Sequence, residues 1–174
     1  MTRLLQDWAS ITPRRLPLDS YLILKLVHIL CAVVVAGTGV GIAFFMFMVN
    51  RTRNIEAIAV TTRHVVLADW LFTLPAVILQ FITGLLLMLK LGYSFTSTWF
   101  LMVLTLFIFI GICWIPVLFI QVRLRELAAL SVNTGILDAG FTQLMKLWTR
   151  LGIPAFSAIL IIFWLMVVKP LPVV

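Results

Sequence analysis

The chain has two histidines, and one of them, His28, stands within residues 26–50, a stretch of 25 without Asp, Glu, Lys or Arg. An imidazole in such a stretch is costly to bury unless it faces a partner, which makes it a candidate functional group. Two kinds of partner suit it. A hydrogen-bonding side chain on a neighbouring helix would make the ring structural. A metal would make it a ligand: imidazole ligates heme iron, and imidazole with thioether or thiolate suits Cu(I). Cys31 is one helical turn further on, and Met88, Met102 and Met166 fall at similar depth in later segments, although methionine and cysteine are also ordinary apolar packing. At helical spacing the face through His28 carries Tyr21, Lys25, Cys31 with Ala32, Val35 and Gly39. The small residues and the Gly37-x-x-x-Gly41 pair admit either another backbone or a flat macrocycle. His64 lies beside Arg63 with Asp69 further along the same segment, a place for a solvated ring, a second cofactor or proton uptake.

These residues are positioned by apolar segments. Of 174 residues, 63% are apolar and 11% charged, and mean hydropathy is +1.19, far from the balance of a soluble domain. Charged residues are absent from residues 26–50, 70–89, 91–122 and 151–168. A bilayer core of about 30 Å needs roughly 20 apolar residues at 1.5 Å each, whereas spanning strands are shorter and alternate. The expectation is an all-α single domain over residues 1–174, a four-transmembrane-helix bundle with spans near 21–50, 66–90, 97–121 and 151–169. The first span runs too long for a signal peptide and should persist in the mature protein. Pro13 and Pro17 keep the first 18 residues irregular, with Asp19 or Ser20 capping the first helix. Asn54 can cap the second helix, whose early part carries Glu56, Arg63, His64 and Asp69 through the cytoplasmic headgroup layer. Pro75 and Pro116 should kink their helices, and Gly152 with Pro154 should bend the chain into the last span, which Lys169-Pro170 ends.

Thirteen Lys and Arg against six acids give a net charge of +7. These charges bracket the spans, matching an anionic lipid surface and not the stripe that follows a nucleic-acid backbone. Placing the first and third connections inside puts Arg51, Arg53, Arg63, Arg123, Arg125, Lys146 and Arg150 there, against Arg3, Arg14, Arg15, Lys90 and Lys169 outside. The expectation is both termini outside a bacterial inner membrane, with long helices extending past the cytoplasmic face. Cys31 and Cys113 suggest neither a disulfide framework nor a zinc site. No phosphate-binding glycine loop, nucleophile elbow, His-Glu-x-x-His pair or heme-attachment motif occurs, which disfavours hydrolysis and phosphoryl transfer.

Lys25-Leu26-Val27-His28-Ile29, followed by Ala36-Gly37-Thr38-Gly39, resembles the first helix of HemJ-type protoporphyrinogen oxidases and CopD-type copper-resistance membrane proteins. Pro75 with Gly84-Leu85, Trp99, and Pro154 with Val167-Val168-Lys169-Pro170 resemble the later helices of that group. Asp69-Trp70-Leu71-Phe72-Thr73-Leu74-Pro75 is most similar to an uncharacterised family of predicted integral membrane proteins allied to both. The resemblance covers about residues 20–170. It implies a heme b ligand at His28, with Lys25 matching the lysine one turn earlier. The HemJ-type lysine and histidine of helix three, and its Asn-Glu pair before helix four, are replaced by Val103, Cys113-Trp114 and Leu151-Gly152. The fold is thus implied more than that family's reaction. The leading expectation is a heme b-binding redox or heme-handling protein in which His28 ligates iron, Lys25 offsets a propionate, and Gly37 and Gly39 wall the pocket. CopD-like copper handling and a cofactor-free membrane scaffold stand beside it. The expected partners are the lipid bilayer and further copies of the chain in a homo-oligomer, with no nucleic acid.

Overall fold

A computed structural model describes residues 20–169. The irregular tail expected around Pro13 and Pro17, the cap at Asp19 and the stop at Pro170 lie outside them. The described chain forms four long helices: α1 (Ser20–Thr52), α2 (Ile55–Leu91), α3 (Thr98–Thr134) and α4 (Ala139–Val168). Their 33, 37, 37 and 30 residues correspond to about 50, 55, 55 and 45 Å, well beyond a bilayer core of about 30 Å. All four are long and apolar enough to cross a membrane, and only 17–22% of each apolar window is buried within the bundle. Phe119 and Val167, 72% and 84% exposed, typify the remaining surface, which lipid must cover.

Short connections make successive helices antiparallel, so the bundle has a termini face and a loop face. On the loop face, Asn54 accepts a hydrogen bond from the Ala57 N–H at 3.0 Å, as its position before α2 predicts. Asp138 accepts from the Gly140 N–H at 2.7 Å and opens α4. Gly135 ends α3 on this face and Gly92 ends α2 on the opposite one, both at φ 68°, where a side chain would be strained. On the termini face the Trp99 indole N–H donates to the Leu165 carbonyl at 2.9 Å, and the Lys169 ammonium donates to the Tyr93 hydroxyl at 3.1 Å. These contacts clasp the start of α3 to the end of α4 at the level where interfacial aromatics belong.

The apolar core is displaced toward the loop face. It joins Ile42, Met46 and Val49 of α1 to Ile58 and Val65 of α2, Leu124 and Ala128 of α3, and Phe141, Met145 and Trp148 of α4. Toward the termini face α2 packs chiefly on α1, and α3 on α4. Two expected bends take other forms. α4 continues through Gly152 and Pro154 as one helix. In α2 the Pro75 disturbance spreads backward into a π-helical turn, Asp69–Thr73, where the Leu74 N–H reaches the Asp69 carbonyl. Proline has no N–H to donate, and one extra residue in the turn accommodates its ring.

Candidate functional site

His28 faces α2, not lipid. Two turns of α2 receive it, because Gln80, Thr83 and Gly84 share one side of that helix. The Thr83 hydroxyl donates its proton to the Leu79 carbonyl at 2.6 Å, the local back-bond common for threonine in apolar helices. With that proton committed, Thr83 Oγ1 accepts from the His28 Nδ1–H at 2.9 Å. The ring is thereby held as the neutral tautomer whose lone pair is on Nε2. The Gln80 carboxamide covers that lone pair, its Nε2 donating to His28 Nε2 at 3.0 Å. The same carboxamide leaves its own oxygen, Oε1, buried without a hydrogen-bond partner.

Gly84 completes the cradle. A Cβ there would stand 3.3 Å from His28 Cε1, so the missing side chain is what lets the imidazole lie against α2. By contrast, a Cβ at Gly37, Gly39 or Gly41 would meet nothing within 4 Å. The glycine stripe of α1 therefore makes no close approach inside the described bundle. Gly39 is eleven residues, three turns, from His28 and shares its face, whereas Gly37 is two and a half turns away and points to the opposite side, exposed. Lys25 is exposed one turn nearer the termini face, its ammonium 5.6 Å from the Tyr21 ring centre.

The sulfur residues divide. Cys31 and Met88 are buried and Met102 is 42% exposed. Cys31 and Cys113 are both free thiols. Among the described residues no three His, Cys, Asp or Glu gather as a metal-binding group. His64 lines a groove of about 390 Å³ between α1 and α2 with Thr38, Gly41 and Thr61. Sixteen residues of α2 separate it from the Gln80 level, about 24 Å, so the two imidazoles cannot share a ligand. Asp69, expected among solvated headgroup-level charges, is 3% exposed and packed inward at the π-turn.

Sequence reasoning centred on His28, overlooked Gln80 and Thr83 and named Gly84 only for a family resemblance, although the three decide what the ring can do. Their spacing was a usable signal, since three consecutive small or polar positions on one face of an apolar helix mark a close neighbour. A family of predicted integral membrane proteins (DUF2269) matches the chain over residues 22–170. No curated protein and no solved structure matches it.

Proposed function

The chain belongs to the DUF2269 family of predicted integral membrane proteins, and on that premise we propose that it binds heme b through His28 in a redox or heme-handling role. The observation that carries this reading is the hydrogen bond from Nδ1–H to Thr83. Metal-ligating histidines typically donate one ring N–H to a fixed acceptor, which sets the tautomer and points the other nitrogen at the metal. Thr83 does this here, and Gly84 supplies the room.

An orphaned polar atom at the ring supports such a ligand. Gln80 caps Nε2, and it holds that place with its own Oε1 unpaired. A buried polar atom without a partner costs about 1–3 kcal/mol, so withdrawal of the carboxamide is offset in part by relief of that oxygen. Heme b would supply one-electron exchange. The chain's own contributions are the oriented imidazole, half-buried against α2, and Lys25 as an exposed cation one turn toward the termini face for a carboxylate substituent. Gly37 and Gly39 both leave α1 open to a flat ligand, since a Cβ at either would meet nothing within 4 Å, and Gly39 is the one on the His28 face.

Copper is less well supported, since no three His, Cys, Asp or Glu gather among the described residues. A cofactor-free role is favoured by one observation: with both nitrogens engaged, the ring already works as a clasp between α1 and α2. Heme titration of the purified full chain separates the readings. The proposal expects a Soret band with reduced-form sharpening in the wild type, lost in His28→Ala and kept in His64→Ala. A folded chain that takes up no heme, or binds it equally in His28→Ala, overturns it. Copper retained by the wild type and lost in His28→Ala would favour the second reading.

A further inference from the structure

The π-turn of α2 builds a second polar site, independent of His28. Asp69 is 3% exposed, Thr73 5% and Gln121 of α3 2%. The Asp69 carboxyl faces the Thr73 hydroxyl and the Gln121 carboxamide. Two oxygens of the group, Thr73 Oγ1 and Gln121 Oε1, are buried without a hydrogen-bond partner. Asp69 is 22 residues from the Leu91 end of α2 and Gln121 is 23 from the Thr98 end of α3, so both lie about 33–35 Å from the termini face and meet at one level. No ion pair joins Asp69 to a described Lys, Arg or His; the ion pair between described side chains is Arg123 with Glu126, exposed and elsewhere on α3.

An anionic carboxylate so buried is strongly disfavoured without a counter-charge. The donors around it select the kind. The atoms left without a partner there are both oxygens, a hydroxyl and an amide carbonyl, beside a carboxylate. Oxygen donors suit hard cations, and unwound helix carbonyls beside a carboxylate are how membrane helices hold sodium ions. Charge sets the valence. A single carboxylate balances one positive charge, whereas a divalent ion would leave an uncompensated charge beside hydrocarbon. We infer that Asp69, Thr73 and Gln121 form a binding site for a monovalent alkali cation of sodium type, bridging α2 and α3.

The test is thermal unfolding of the detergent-solubilised full chain at fixed pH and ionic strength, with NaCl exchanged stepwise for choline chloride. The wild type is expected to rise in melting temperature and saturate with Na⁺. Asp69→Asn, nearly isosteric, is expected to lose that response while keeping its helical circular dichroism; Thr73→Val, which alters no charge, is expected to weaken it. If Asp69→Asn does not fold, Thr73→Val and Gln121→Leu carry the comparison. A wild-type melting temperature equal in NaCl and choline chloride overturns the site and leaves Asp69 a protonated carboxyl. An equal Na⁺ response in the variants overturns it too. Heme is absent from every arm, so the outcome is separate from that of His28.

Discussion

Replacing Thr83 with valine keeps the shape of the side chain and removes the one acceptor that fixes the His28 tautomer. The structure sets the cost. The Nδ1–H···Oγ1 bond is 2.9 Å long and joins two helices, while the bond to Leu79 that also disappears is local to α2. An interhelical side-chain hydrogen bond in a membrane is worth about 0.6 kcal/mol on average and up to about 1.7. A buried imidazole N–H left unpaired adds part of a penalty of about 1–3 kcal/mol. Thr83→Val should therefore destabilise the chain by about 1–2 kcal/mol, and Thr83→Ser, which retains the hydroxyl, by clearly less. The assay is a double-mutant cycle in reversible unfolding from mixed micelles, with His28→Leu as the second mutation. The two changes should couple by about 1 kcal/mol, because valine costs little once the ring is gone. An equal cost of Thr83→Val in both backgrounds would show that the hydroxyl serves only α2, and the tautomer argument would fall.

Gly84→Ala should press a methyl to 3.3 Å from His28 Cε1 and lower heme uptake, whereas Gly37→Ala, with nothing within 4 Å, should leave uptake unchanged; parallel titrations read both. Gln80→Leu removes the amide that covers Nε2, so heme should bind about threefold tighter if that hydrogen bond has the average membrane value; weaker binding would mean the carboxamide assists the ligand. Trp99→Phe loses the 2.9 Å bond to the Leu165 carbonyl and should cost about 1 kcal/mol in the same unfolding assay. Glu126→Gln breaks an exposed pair with Arg123 and should change stability by less than about 0.5 kcal/mol.

The four helices are legible because each apolar stretch is too long for anything but a membrane span, and Asn54 marks the α1–α2 turn by its type alone. What escaped sequence reasoning shares one cause. Gln80, Thr83, Thr73 and Gln121 are uncharged, so counting Asp, Glu, Lys and Arg reads the stretches containing them as uniformly apolar. Their meaning comes from facing another helix, and a pairing between α1 and α2 or α2 and α3 is not local information. Asp69 illustrates the reverse. Its proximity to Arg63 and His64 in sequence suggested the headgroup layer, but at helical spacing it continues the buried face of Ile58, Thr62 and Val65, and it packs inward with them. The α1 glycines show a further limit of pattern: Gly37-x-x-x-Gly41 has the spacing of a packing motif, and the close approach occurs at Gly84.

Free imidazole added to His28→Gly distinguishes a ligand from a clasp most directly. The cavity left beside Thr83 and Gly84 is matched to an imidazole ring, and a ring bound there is no longer tied to α1. Restoration of the Soret band by imidazole, and not by an equal concentration of benzene-sized apolar additive, is the result predicted for Nε2 ligation. Recovery of thermal stability with no heme spectrum would contradict it and leave His28 as the pin between two membrane helices.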